Sequence, residues 1–344
     1  MAVTAKELAK KLGLSEAAVS MALNGKPGVS TATRKKVIDA AKTNGYDFTR
    51  RNVPAEPAVS NGTIYFIIYK KNGAIVADTP FFSQLSEGIE SGCKAAGYHM
   101  NISYLYEGDD INFELSEIIR FGCKGIILLG TEMTETEFFP FLSLRTPVVV
   151  LDTCFENLSA DYVQIDNVQG SYLATCHLIR RCRNPHTGQT AQPGYLKSSC
   201  TIQNFRERAD GFYKAIRRNG MSASKSLVHV LSPSVEGAYA DMKELLSQGE
   251  QPARCYFADN DLIAAGALRA FSEAGFRVPE DVAVVGFDDM PLCVYVEPTL
   301  TTVHVPKQYM GRMAARRLAE IISSKTNEPV KIQIETSLVI RKSV

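Results

Sequence analysis

The chain has 344 residues, is 45% hydrophobic and 22% charged, and carries a formal net charge of +1. That composition suits a soluble globular protein with a large core and room for two or three domains. It excludes a membrane-spanning chain, because no apolar run approaches the roughly 20 residues a membrane helix needs. The first residues, MAVTAKELAK, lack the apolar stretch of a secretory signal, so a cytoplasmic protein is expected. The eight cysteines are scattered without tight paired spacing and mostly sit in apolar segments, as buried thiols do in a reducing compartment.

The charge is unevenly placed. Residues 1–51 hold ten Lys/Arg against four Asp/Glu, and the remainder is net acidic. A basic head of this kind suits a polyanion, since phosphate neutralisation with counterion release drives such binding. Within it, Thr4 and Glu7 form a capping box ahead of an apolar stripe, Leu8, Ala9 and Leu12, that ends at Gly13. Ser15 can cap a second helix whose inward positions are Val19, Ala22 and Leu23, while Glu16, Ala17, Ser20, Met21 and Asn24 share the opposite face. Ser30 can cap a third, with Val37, Ile38 and Ala41 inward and Asn44–Gly45 as its stop. Two short helices joined by a tight turn, with a third across them, make a helix-turn-helix.

Residues 50–62, with prolines at 54 and 57, read as a linker. From Thr63 onward β-rich runs (64–69, 100–105, 125–129, 147–151) alternate with helical segments such as 82–96. A second series of strands follows at 162–165, 194–197, 227–231, 254–257 and 282–287. Strict alternation implies parallel sheets with helices on both faces, and about 280 residues suffice for two such lobes.

VTAKELAKKLGLSEAAVSMALNGKPGVSTATRKKVIDAAKTNGY resembles the DNA-binding head of the lactose-repressor (LacI/GalR) family. PFFSQLSEGIE, RERADGF, FADNDLIAAGALRAFSEAGFRVPEDVAVVGFDD and PTLTTVHVP are similar, in order and spacing, to that family's effector-binding body. The resemblance covers nearly the whole chain. It implies an all-α helix-turn-helix head and an α/β body of two doubly wound parallel-sheet lobes of periplasmic-binding-protein type. It also implies a homodimeric repressor that holds a small ligand between the lobes. The corresponding division is a head over 1–49, a linker over 50–62 and a body over 63–344, with one lobe near 63–160 and 291–322 and the other near 161–290 and 323–344.

Carried over residue by residue, the resemblance implies phosphate contacts from Thr4, Ser15, Ser20, Asn24, Ser30 and Thr33, groups equally suited to capping helices. Lys26 and Arg34 would add contacts that position the protein without reading bases. Two departures stand out: Met21 replaces the family's usual arginine and Ala18 its usual threonine. The family's hinge helix, which ends in a groove-wedging leucine, is opposed here by the prolines at 54 and 57. Ala17 and Met21 can meet thymine methyls and Glu16 can accept from a cytosine amino group, so an operator unlike those read by an arginine is expected.

In the body, the resemblance places an effector-gripping arginine at Arg208. Asp261, after FADN at a strand-to-helix junction, is expected to accept from sugar hydroxyls, with helix capping as its alternative role. Tyr69, Phe81 and Phe82 could stack on an apolar sugar face or belong to the core, and Asp152 is a further candidate. Cys176, His177, Cys182 and His186 invite a zinc reading, but Cys176 and Cys182 fall on different helix faces, and neither a metal nor a cofactor is expected. No Walker loop, dinucleotide fingerprint or nucleophile elbow is present, so an enzyme is not expected. The leading expectation is a ligand-responsive repressor on a pseudo-palindromic duplex operator, bound as a homodimer and responding to a sugar-like effector. Two alternatives remain: a sugar sensor whose head no longer binds DNA specifically, and an enzyme acting on a sugar or nucleotide.

Overall fold

The computed structural model describes residues 3–23, 29–44, 46, 60–71, 73, 75–76, 80–183, 190–324 and 328–344. Asn24, Lys26, His186 and most of the expected linker lie outside them. The chain divides into two compact units, Met1–Val59 and Ser60–Val344.

The first unit contains α1 (Ala5–Leu12), α2 (Glu16–Leu23) and α3 (Thr31–Thr43). The Thr4–Glu7 capping box forms, and Gly13 ends α1 at φ 62°, a left-handed conformation that glycine adopts without Cβ strain. Leu8, Ala9, Val19, Ala22, Leu23, Val37 and Ala41 bury together as a core. These are the inward positions of the three amphipathic repeats, apart from Leu12 and Ile38, which are half-buried.

The second unit begins with β1 (Thr63–Lys70), α4 (Pro80–Ala95), β2 (His99–Tyr106), α5 (Ile111–Arg120), β3 (Cys123–Leu129), α6 (Glu135–Leu142), β4 (Val148–Leu151) and β5 (Asp161–Ile165). It continues through α7 (Asn167–Arg181), β6 (Gly194–Ser198), α8 (Gln203–Arg218), β7 (Val228–Leu231), α9 (Val235–Ser247), β8 (Cys255–Ala258), α10 (Asp261–Glu273) and β9 (Ala283–Val285). The last elements are β10 (Thr302–His304), α11 (Lys307–Ser323), β11 (Lys331–Ile334) and β12 (Ser337–Val339).

One sheet has the order β11-β5-β4-β3-β1-β2 and the other β7-β6-β8-β9, while β10 pairs with β12. Every pairing in the two larger sheets is parallel. The inner strands β1, β3, β4 and β8 are near-continuous apolar runs because helices cover both faces, whereas the edge strands β2 and β7 leave side chains exposed.

The expected lobe boundary needs correction. Residues 161–165 pair with β4 and 331–334 pair with 162–165, so both segments belong to the first lobe. The chain passes to the second lobe only at Asp166, the N-cap of α7, and returns before α11, which packs on α4. A final passage lies between β11 and β12. The lobes are therefore joined by three connections, near 166, 305–306 and 335–336.

Candidate DNA interface and interlobe cleft

In the head, α2 turns Glu16, Ala17 and Ser20 to solvent, with Met21 half-buried. Ser15 Oγ accepts from the Ala18 amide at 3.1 Å. Ser30 Oγ accepts from the Thr33 amide at 3.1 Å and lies 2.8 Å from Thr33 Oγ1. Thr4 Oγ1 accepts from the Glu7 amide and donates to the Glu7 carboxylate. These side chains cap helices, and each stands at a helix N-terminus, where amides and dipole favour an anion. Glu16 lies 3.9 Å from the exposed ammonium of Lys6, and Arg34 is half-buried on α3.

In the body, the strand ends of the two lobes face one another across a cleft, the usual place for ligands in open parallel sheets. Its floor is a cavity of about 50 Å³ lined by Phe81, Phe82, Thr131 and Asp152 from the first lobe and by Asn204, Arg208, Asn260 and Asp288 from the second. Arg208 is only 4% exposed. Its Nε donates to Asn167 Oδ1 at 2.9 Å, Nη1 to the Asp259 carbonyl at 2.6 Å and Nη2 to Asp288 Oδ1 at 3.0 Å. The guanidinium also lies 3.8 Å from the centroid of the Phe287 ring. A planar multi-donor group is thus fixed in orientation from three sides, with two of its five N–H bonds left over.

Opposite stands Asp152, just beyond β4 at φ 64° and nearly fully buried. It accepts from Thr131 Oγ1 at 2.7 Å, and its backbone carbonyl accepts from Asn204 Nδ2 at 3.1 Å, a hydrogen bond between the lobes. Burial, reinforced by the charge of Asp288, pushes the Asp152 carboxyl up to about 6, against the lowering influence of Thr131 and Arg208. Burial also raises Asp288, while Arg208 and Lys307 oppose it. Asp259, below the floor, accepts from Tyr195 and from the Ser198 amide, and burial raises it to about 6.

Phe81 and Phe82 meet edge to face at 5.0 Å and form an aromatic wall. Of the expected effector residues, Arg208, Asp152, Phe81 and Phe82 come together here. Tyr69 and Asp261 do not. Strand alternation turns Tyr69 into the core on the far face of the first sheet, where its hydroxyl donates to Glu137 at 2.5 Å. Asp261 is fully buried, accepting from the Met290 amide at 2.8 Å and from Thr302 Oγ1 at 2.5 Å. Its neighbour Asn260 is the N-cap of α10 and lines the cleft instead. Gly286 lets Asp261 in, because a Cβ there would lie 2.2 Å from its Oδ1.

Sequence reasoning missed Asp288, Asn260, Thr131 and Asn204. The first two each follow a strand in motifs that were in view, GFDD and FADN. The third follows β3 by two residues. Only Asn204 lacks such a signal.

Toward solvent the cleft opens into a cavity of about 500 Å³ that shares Thr131 and Ile202 with the floor. Glu132, on its wall, accepts from the amides of Lys71, Ile75 and Val76 at 2.7–2.8 Å.

A helix-turn-helix head and a two-lobed parallel-sheet body with a polar cleft define a ligand-responsive DNA-binding regulator. Residues 4–47 match the model of bacterial regulatory proteins of the lacI family, and 196–344 match a periplasmic binding protein-like domain. The chain is 30% identical over 348 residues to the HTH-type transcriptional repressor PurR of Haemophilus influenzae, covering 99% of this chain and 98% of that one. Among solved structures, the transcriptional regulator CelR in complex with cellobiose is 27% identical at a TM-score of 0.72, covering 99% of this chain and all of that one. A LacI family regulator from Enterococcus faecium with bound ribose is 26% identical at 0.67, covering 82% and 98%.

The chain belongs to the LacI family of bacterial transcription regulators. Its relatives are transcription regulators, and none of its described helices is long and apolar enough to cross a membrane.

Proposed function

We propose that this chain is a cytoplasmic homodimeric repressor without enzymatic activity, whose effector is a sugar or sugar derivative held between the lobes. The observation that carries this reading is the floor of the cleft. An oriented guanidinium, two facing carboxylates and an aromatic wall supply the donors, acceptors and apolar surface that a polyhydroxylated ring requires. Cellobiose and ribose bound to the two structural relatives support the same class.

A floor of about 50 Å³ holds little more than one water molecule, so ligand entry separates the lobes and breaks the link from Asn204 to Asp152. That opening is the two-state element through which ligand would bias DNA affinity. The exposed Ile102, Tyr104 and Tyr106 of the edge strand β2, with the exposed Phe113 on α5 and Phe121 at its C-cap, support self-association. Thr4, Ser15, Ser20, Ser30 and Thr33, with Arg34, form the phosphate-facing set, and Asn24 and Lys26 are proposed to join them. Glu16, Ala17 and Met21 are proposed to face bases.

The test is calorimetric titration of the full chain with ribose, glucose and glucose disaccharides. Arg208→Ala should weaken the best of these by about 2 kcal/mol or more, because the variant loses charged donors and leaves Asp288 unpaired. Unchanged affinity would remove Arg208 from the site.

A further inference from the structure

We propose that the cleft selects its effector by charge: it takes a sugar of two or more rings that is neutral or bears an amine, and it rejects phosphorylated and carboxylated sugars. This rests on the sugar reading above and narrows it. At the floor two carboxylates, Asp152 and Asp288, stand against Arg208 and the buried Lys307, whose ammonium donates to the Asp288 carbonyl and lies 5.4 Å from the centroid of the Phe81 ring. Three of the five N–H donors of Arg208 are taken by Asn167, the Asp259 carbonyl and Asp288, which leaves two for a ligand. Asp152 receives one hydroxyl donor, from Thr131.

The excess of carboxylates lies at the mouth. Glu132 is saturated by three backbone amides, whereas Glu135, Glu156 and Asp210 have no ion pair among the described residues. Of the two cations there, Lys71 is held by Glu107 at 3.0 Å and lies 3.8 Å from Glu137, which leaves Arg206. Ionised carboxylates only accept hydrogen bonds, so the mouth asks for donors. Hydroxyl and ammonium groups supply donors. Phosphate and carboxylate groups bring more acceptors and a like charge into a partly desolvated cleft, where repulsion is weakly screened.

Size follows from the same geometry. The floor joins the 500 Å³ mouth through Thr131 and Ile202, so a ring seated against Arg208 leaves the mouth for a second ring.

The test titrates the full-length protein with glucose disaccharides of β-1,4, α-1,4 and α-1,6 linkage, each as the neutral sugar, 6-phosphate, uronate and amino sugar, with glucose and ribose alongside. The expected result is that the best-binding linkage binds in its neutral or amino form, and that its phosphate and uronate bind at least about 100-fold more weakly. The combined Glu135→Gln, Glu156→Gln and Asp210→Asn variant should narrow that gap about tenfold, read as the ratio of the charged to the neutral affinity within the same variant. A phosphate or uronate that binds as tightly as its neutral partner, or a gap unchanged in the triple variant, overturns the charge selection and leaves the sugar reading standing. Binding by single rings with no gain from a second overturns the size claim. No binding by any sugar, with the protein folded by thermal melting, overturns the sugar reading and this inference with it.

Discussion

Single side chains at the cleft carry both stability and response. Asp152 is nearly fully buried, and its carboxyl is raised to about 6 by burial, against about 4 in an unfolded chain. The fold therefore favours the protonated form. That contribution is complete below about pH 4 and lost as pH rises through about 6. Asp152→Asn stays uncharged throughout, so its stability relative to the parent should rise by about 2 kcal/mol between pH 4 and pH 7. Thermal melts of both proteins at the two pH values check this, and a difference independent of pH would contradict the burial cause. Two residue-scale expectations failed for one reason. Asn260 and Asp261 are adjacent at the start of α10, and one residue of rotation decides that Asn260 lines the cleft while Asp261 ties Met290 and Thr302 into the second lobe. Tyr69 was likewise misplaced because β1 is apolar on both faces, so alternation leaves no polar mark to say which face meets the cleft.

At the scale of elements, the alternation of strand and helix was legible in the chain because each strand is a short apolar run bounded by turn residues. Which sheet a strand joins was less so. β5 reads like any other buried strand, and its pairing with β4 and β11 is set by contacts with a segment far along the chain. The packing of α4 on α11 is equally hidden. Gly88 admits α11 so closely that a Cβ would lie 2.2 Å from the Gln308 carbonyl oxygen. Gly88→Ala should therefore destabilise the body by about 1–3 kcal/mol through overpacking, measured by denaturant unfolding; a neutral effect would show that the two helices separate readily. In the head, the caps and the apolar repeats were all visible, since capping and helical spacing are local. What α2 reads was not, because its outward residues lack the paired donors that specify a guanine. Met21→Arg should shift the selected operator toward guanine at the contacted position by about 1–3 kcal/mol of discrimination, which site selection on both proteins would reveal. Identical selected motifs would place residue 21 away from the bases.

At the scale of the whole molecule, a helix-turn-helix head is joined to a body whose two lobes are linked by three connections, and the proposed response is a ligand-driven change in the separation of those lobes. Each part is a familiar physical device. The claim that matters is their coupling, which requires the ligand to bind the DNA-competent and DNA-incompetent states with different affinity. The most direct measurement is the affinity of the full-length protein for its selected operator, at fixed salt, with and without the tightest-binding sugar, for the parent and for Arg208→Ala. The account predicts that the sugar changes the parent's operator Kd by at least about fivefold and leaves that of the variant unchanged. An operator affinity indifferent to the sugar in the parent, or altered equally in both proteins, would contradict it.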